Sequence, residues 1–450
     1  MAWEHEVSIL AIKELISKGS FSLILKILDD LQAIDIAEIL LSLDEQARLS
    51  LFLRFDRELS ARVFEQLDPK TQGLLLEVME IGKSREILGD MSSDDLADLV
   101  GELAPQQAQA VLGLIPHEDA EEIRELLVYP EHSAGGLMTT EYIALSESTR
   151  VDDAINYIRQ TAATMETVYS VYVTKDDALV GVVGLRALIL ASPESELSQL
   201  MDRHVIAIGP LTDQEEVASI LSKYDFLSLP IVDQSNRLLG LVTIDDILDV
   251  LSDEATEDIS KFGGSVPLNE PYIDASIFSL FSKRVGWLLV LFVAQLFTST
   301  LMKSYEDVLH SVVSLVFFIP LLIGTGGNAG SQASSLVIRG MATGEVGFKD
   351  VLKVFKKELS VGLALGLAMG AVTFLRALMM GESVLLALSV SVTLFAILIM
   401  AALTGSMLPL AIRRVGLDPA VGSSPLITTI VDTAGLFIYF TVAAKLLGVL

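Results

Sequence analysis

"SPLITTIVDTAGLFIYFTVAAKLLGVL" (residues 424–450) is apolar and long enough to cross a bilayer, yet it carries one carboxylate, Asp432. A hydrocarbon core about 30 Å thick needs about 20 mainly apolar residues to span it. A carboxylate facing lipid costs from about 2.5 kcal/mol upwards, so Asp432 is expected to face protein or water. At helical spacings of three and four, Pro425, Thr428, Thr429 and Asp432 fall on one face. Pro425 also weakens the helix start and frees carbonyls there. One face thus offers a carboxylate, hydroxyls and carbonyls, the oxygen-only ligand set of a hard cation.

Working outward, the same reading gives four more spans, at 285–302, 308–338, 358–380 and 383–412, with the last at 424–448. The second contains Gly324-Thr325-Gly326-Gly327-Asn328-Ala329-Gly330-Ser331-Gln332. Such a run suits close helix approach or carbonyls lining a polar path. Beside an isolated membrane carboxylate the polar path is the stronger expectation, with Thr325, Asn328, Ser424 and Pro425 as lining candidates. Basic residues cluster before span one (Lys283, Arg284), between spans two and three (Arg339, Lys349, Lys353, Lys356, Lys357) and after span four (Arg413, Arg414). These three places share one side, which the positive-inside rule makes cytoplasmic. The N-terminal half is then cytoplasmic and Leu450 lies outside. No signal peptide is expected from the first 30 residues.

The first 282 residues hold 51 acidic and 19 basic side chains, a net of −32, whereas the remaining 168 hold 8 and 12, a net of +4. Such acidity repels nucleic acid and suits multivalent cations. The absence of cysteine removes disulfides, thiolate metal sites and thiol nucleophiles. No nucleophile–base pair, Walker loop or histidine–carboxylate centre is evident, so an enzyme is not expected. The acids cluster: Asp94, Asp95 and Asp98; Asp213, Glu215 and Glu216; Asp225; and the run Asp245, Asp246, Asp249, Asp253, Glu254, Glu257 and Asp258. For any one cluster a solvated face or a helix cap is the alternative. The 245–258 run resists that reading, because like charges at helical spacing repel without counter-ions. Oxygen-only clusters favour Mg²⁺ or Ca²⁺ over zinc.

Residues 1–131 read as short amphipathic helices broken by Asp, Ser and Pro caps, a small helical superhelix. An internal repeat follows at 132–258, one copy starting at Leu137 and the other at Leu200. Met138 matches Met201, and Val180-Gly181 matches Leu239-Gly240. Each copy reads as strand, helix, two strands and closing helix, and the pair resembles tandem cystathionine-β-synthase (CBS) domains. The second copy keeps that family's ending as Gly240, Thr243 and Asp246, which the resemblance makes a nucleotide site with ATP as the candidate ligand. The first copy has Gly184 and Ala187 in place of Thr and Asp. Residues 259–284 read as a linker helix, and 285–450 as the membrane domain.

This order of modules, with "SAGGLMT" (133–139), "EATEDI" (254–259) and "GTGGN" (324–328), resembles the MgtE family of bacterial magnesium channels. The resemblance implies a homodimer in the cytoplasmic membrane, in contact with lipid and not with nucleic acid, passing Mg²⁺ between the two chains. It places Asp432 at the pore ion with Thr428 nearby. It makes Asp94, Asp98, Asp213, Glu215, Asp225, Asp246, Glu254, Glu257 and Asp258 regulatory acids, joined by Asp418. Cytosolic Mg²⁺ bridging Asp94 and Asp98 to the Asp246 region, and 254–258 to Asp213 and Glu215, would close the pore. Ser424 departs from the better-known family pattern, which has Asn there. A secondary-active divalent cation transporter with a CBS nucleotide sensor is the alternative.

Overall fold

The computed structural model describes residues 12–16, 18–162, 164–268, 272–273 and 275–448, in two compact units that meet in sequence at Leu251 and Ser252.

The first unit begins with short helices running from Phe21–Leu28 to His117–Leu126. Their starts follow from local chemistry. Asp44, Asp56 and Asp68 each accept a hydrogen bond from the backbone N–H three residues on, at 2.9, 2.9 and 3.0 Å. Pro69 and Pro105 occupy first-turn positions where the missing N–H costs nothing. Helices of eight to ten residues are marginal alone, so packing must hold them. Ala33–Leu41 packs on Arg57–Glu65, which packs on Ile81–Leu88; Pro69–Val78 packs on Ser93–Glu102, which packs on His117–Leu126. This is the expected superhelical stacking. One apolar core, from Ile36 and Phe64 through Leu99 to Val217, Ile231 and Ile247, joins this stack to the second repeat copy.

In the first copy, β1 (Ala144–Ser146) pairs in parallel with β2 (Ser170–Lys175), which pairs antiparallel with β3 (Ala178–Gly184). In the second, β4 (Ser228–Val232) pairs antiparallel with β5 (Leu238–Thr243). The expected opening strand of that copy shrinks to one bridge, Ile208 to Ile231. Pro230, opposite, has no N–H to extend the ladder. The two copies exchange their opening segments symmetrically. Thr139 and Leu241 trade both backbone hydrogen bonds at 2.9 Å, and Asp202 and Val182 do the same at 2.9 and 3.0 Å. Each exchange seats a methionine of one copy on a glycine of the other, Met138 on Gly240 and Met201 on Gly181.

Among the described residues the second unit holds five helices long and apolar enough to cross a membrane: Ile277–Ser304, Val313–Ala342, Phe348–Met379, Val384–Arg414 and Ser424–Leu447. Span four is central, packing on spans two, three and five, while span one packs chiefly on span five. Two boundaries differ from hydropathy. Span three begins with Lys353, Lys356 and Lys357 already helical, because lysine is a good helix former and charge does not end a helix. Span two, expected as one segment from 308, is divided: helix Glu306–Ser311, a 3₁₀ stretch Val313–Phe318, then helix Ile319–Ala342 with Pro320 in its first turn. The acidic helix runs Ile244–Phe262, into the start of the linker as far as Gly263-Gly264, and so carries Lys261 at its end.

The repeat exchange yields a ranked prediction. A Cβ at Gly240 would lie 2.7 Å from the Thr139 carbonyl, backbone that cannot move aside, whereas at Gly181 it meets only the Met201 side chain. Gly240→Val should therefore destabilise by about 1–3 kcal/mol and Gly181→Val by less. Calorimetric melting of the two variants checks the order; equal losses would contradict it.

Candidate cation sites

Asp432 lies about a third of the way along Ser424–Leu447, 7 % exposed, with its Oδ1 lacking any hydrogen-bond partner. Gln295 of span one donates toward the carboxylate. Among the described residues no lysine or arginine pairs with it. Around it the hydroxyls are used locally: Thr428 donates to the Ser424 carbonyl and Thr429 to the Pro425 carbonyl, each at 2.9 Å. Thr433 and Thr298 share a hydrogen bond of 2.6 Å between spans five and one. Ser424 donates to Ser331 at 2.8 Å, joining span five to span two.

The glycine-rich stretch is continuous helix, not unwound backbone. Gly326 and Gly330 are buried against Val431 and Ile427, and Gly327 against Thr428. A Cβ on Gly405 of span four would overlap the Gly330 backbone. These glycines therefore serve close helix packing, which corrects the expectation that the run as a whole exposes carbonyls to a path. The opposite face differs. Gly324, Asn328 and Gln332, at spacings of four, are exposed, and Thr325 is half-buried. Of the lining candidates, Asn328 thus points away from the chain's own bundle, while Ser424 and Pro425 are half-buried at the start of span five.

At the start of span five the connecting segment is tied down. Trp287 Nε1 donates to Ser423 Oγ at 3.1 Å. Gly264, with φ +75°, leaves room for the Trp287 ring that a Cβ would strike. Lys283 donates to the Pro267 carbonyl at 2.6 Å. Asp418 is ion-paired with Lys261 Nζ at 2.8 Å, and Lys261 also pairs with Glu257. Desolvation works against the Lys261 charge, but hydrogen bonds to Asp418 and Glu257 outweigh it and hold the ammonium above its ordinary value. Asp258 is pushed up by burial, then by Asp418 and Glu254. So the acidic run does meet a base, one residue type the 245–258 window leaves out.

In the first unit a cavity of about 930 Å³ is lined by ten carboxylates: Glu65, Asp68, Asp90, Asp94, Asp95, Glu141, Glu166, Asp245, Asp246 and Asp249. It has no Lys, Arg or His in its lining. Next to the lining residues Ser92 and Asp94, Ser93 ties the helix to the segment before β1, accepting from the Thr140 N–H at 3.0 Å and bonding the Thr140 and Thr139 hydroxyls at 2.9 and 3.2 Å. The residue at the helix cap position is Ser92, not Asp94. Asp94 is instead 9 % exposed, with Oδ1 unpartnered. Burial is the first cause that raises Glu65, Asp94, Asp95, Glu141, Glu166 and Asp246, with a facing carboxylate second for all but Asp94. Asp95 is pushed to about 6, Glu141 and Asp246 to about 7, and Glu166 at the rim to about 8. Asp94 moves the same way, by burial. No three acidic or histidine side chains converge tightly enough to enclose a bare ion among the described residues.

Not every expected acid joins this cavity. Asp98 lines a separate one of about 290 Å³ with Glu102 and Glu131, so Asp94 and Asp98 do not face Asp246 together. Asp98 is raised to about 7, by burial and then Asp94. Asp213 caps the helix Gln214–Tyr224 by accepting from the Glu215 N–H at 2.9 Å, and Asp225 closes it in the left-handed conformation. Asp246 is bound by its own Thr243, whose hydroxyl donates at 2.5 Å. Gly240 is required by packing on Met138. Glu141, Glu166, Glu65, Gln295, Trp287 and Lys261 were not singled out by sequence. Lys261 alone carried a local signal, standing four residues after Glu257.

Three family models match the chain: an MgtE intracellular N domain over residues 31–132, CBS domains over 134–194 and 197–253, and MgtE, a divalent cation transporter, over 319–442. The magnesium transporter MgtE of Thermus thermophilus is 37% identical over 441 residues, covering 97% of this chain and 98% of the relative. That of Bacillus subtilis is 31% identical over 440 residues, covering 98% and 97%. The crystal structure of the cytosolic domain of the Mg²⁺ channel MgtE in complex with ATP superposes with a TM-score of 0.51 at 33% identity, covering 54% of this chain and 99% of that one. The soluble part of a magnesium transporter gives 0.50 at 31%, covering 56% and 99%.

The raised carboxylates fix a sign for pH dependence. Their folded pKa values exceed the ordinary 4 or so, so between about 5 and 8 the folded state binds more protons than the unfolded one. Stability in chelator should therefore fall as pH rises through that window, and added Mg²⁺ should shrink the fall. Calorimetry across the range checks it; a first-unit transition that rises with pH in chelator would refute it.

Proposed function

The chain belongs to the MgtE family of magnesium transporters, and from that premise we propose that it is a homodimeric Mg²⁺ channel closed by cytosolic Mg²⁺. It is not an enzyme, and its five apolar helices make it a multi-pass membrane protein. The observation that carries the pore reading is Asp432, buried in a membrane span with one oxygen unpartnered and no basic partner among the described residues. A carboxylate so placed needs positive charge, and a permeating dication supplies it. Mg²⁺ gives up water reluctantly, so a site of one carboxylate per chain, the Gln295 amide and the Thr428 region suits an ion that keeps part of its shell.

The second copy follows from span two. Asn328 exposes an amide on a face the described residues do not cover, and lipid is a poor partner for it. A symmetric copy would bury that face and bring two Asp432 groups to one axis. The basic residues flanking spans one, two and four support a cytosolic first unit and a chain that ends outside.

For closure, Mg²⁺ enters the ten-carboxylate cavity and draws Asp94 of the helical stack and Asp246 of the second CBS copy together. Asp98, Asp213, Glu215, Asp225, Glu254, Glu257 and Asp258 supply further weak sites. Asp418 joins the last three by exchanging Lys261 for the ion. Nucleotide binding at the second CBS copy, through Gly240, Thr243 and Asp246, is proposed as a modulator. A triphosphate beside so many carboxylates would arrive with its own Mg²⁺.

Patch-clamp recording with stepped cytosolic Mg²⁺ tests the reading. Unitary currents should fall as cytosolic Mg²⁺ rises, and Asp432→Asn should cut Mg²⁺ current at least about tenfold, a barrier change of about 1.4 kcal/mol. An unaltered current in that variant removes Asp432 from the pore, and flux without unitary steps points to a carrier.

A further inference from the structure

We infer that the groove between spans two and three holds one acyl chain of an amine-bearing phospholipid, with the headgroup at Glu345, Lys357 and Glu358. The inference rests on the membrane spans and not on the channel reading.

The groove exists because spans two and three each pack on span four. Its volume is about 400 Å³. Span two lines it from Ala329 to Gly340 at spacings of three and four, and span three from Val354 to Leu365 in the same way. The floor is Ala402 of span four, whose short side chain leaves the depth unfilled. At the basic end of the bundle Val346 and Val354 pack against the small core of Val337, Met341 and Leu410. Asn328 stands outside the lining, so the face proposed for a second copy is a different one.

The length of the groove points to its occupant. Both walls cover 11 residue steps. That is about 16 Å of helix, close to half of a hydrocarbon core about 30 Å thick. The groove is therefore one leaflet deep. A transmembrane helix of a second copy would need a seam through both leaflets, whereas a lipid tail needs one. Water does not stably fill an apolar groove, and beyond its mouth this one is apolar except for Gln332.

Charge at the mouth points to the headgroup. Glu345, Lys357 and Glu358 line that end, two carboxylates against one ammonium. Glu358 is half-buried, with Lys357 as its near opposite charge. A bare tail would leave Glu358 facing lipid, which is costly. A purely anionic headgroup would meet Lys357 but be repelled by both carboxylates. A phosphodiester carrying a primary amine satisfies all three, its phosphate accepting from Lys357 and its ammonium donating to Glu345 and Glu358. A lipid so held braces span two against span three.

The test is native mass spectrometry of the full-length protein, delipidated in non-ionic detergent. Phosphatidylethanolamine or phosphatidylglycerol with the same acyl chains is added back at equal concentration. Phosphatidylethanolamine should be retained as one discrete adduct per chain, at least about threefold more than phosphatidylglycerol. Glu345→Lys/Glu358→Lys should reverse that order, because three bases then face the phosphate and none of the carboxylates the amine. The milder Glu345→Gln/Glu358→Gln should erase the preference. Val361→Trp, on an exposed wall, should lower retention of both lipids. Circular dichroism confirms folding, and Leu336→Trp on the facing wall serves if Val361→Trp is not folded. Equal retention of the two lipids, or an order that charge reversal leaves unchanged, overturns the inference. So does a dimer that Val361→Trp dissociates without loss of lipid, which would give the groove to a second copy.

Discussion

Asp432 holds an oxygen without a hydrogen-bond partner inside a membrane span, and Asp94 holds another buried behind the wall of a cavity lined, among the described residues, by ten carboxylates and no base. Two like charges 4 Å apart repel by about 4 kcal/mol at an effective dielectric of 20. The chain gives the first Gln295 and the second hydrogen bonds from Ser92 and Thr243, but among the described residues it pairs neither with a base. At the cavity the protein's own response is visible in Glu141, Asp246 and Glu166, which burial and mutual repulsion push to about 7 or 8. Protons are one remedy, and a hard cation is a better one because it neutralises two carboxylates at once. Cargo and signal can then be the same ion, since both places pose the same electrostatic demand.

The ties at the start of span five explain how such a demand could be transmitted. Lys261 joins the end of the acidic helix to Asp418, directly before the Pro419–Val421 turn that leads to span five. Trp287 of span one reaches the cap residue of that same span, Ser423, and Gly264 makes room for its ring. A shift of the helix end therefore acts on Ser423–Pro425 through an ion pair and a packed indole, not through a loose loop. The proximity of Asp418, Glu257 and Asp258 around one ammonium makes this a charge balance that an added dication would alter.

How much of this the sequence disclosed depends on the range of the physics involved. Helix caps such as Asp44, Asp56 and Asp68 act over three residues and were readable. The repeat was readable because Met138 and Met201 recur with Gly181 and Gly240, although only the structure shows that each glycine serves the other copy's methionine. Asp432 stood out because an isolated acid in an apolar run needs explanation. Glu141 and Glu166 did not, since each is an ordinary loop acid until folding brings it to Asp94 across a cavity. Asp98 failed in the opposite sense. Four residues from Asp94, it shares the helix but lines a different cavity, because neighbouring elements divide that face between them. The glycines of span two fit two readings, and Val431, Ile427 and Thr428 decide it for packing.

The dispersal of the acids bears on the proposed control. To move a two-state equilibrium from 1:99 to 99:1, a ligand must prefer one state by about 5.5 kcal/mol. A single site carrying that whole preference would bind tightly and stay filled when free Mg²⁺ fell. Several sites, each preferring the closed state by about tenfold, reach the same total with weak individual affinities, and they fill and empty together. Carboxylates that never converge into a shell, spread over a large cavity and repeated at Asp98 and at Asp258, have the geometry for weak sites of this kind. A tight chelating cage would defeat a sensor whose ligand must leave as readily as it arrives, so the loose arrangement is what the proposed task requires.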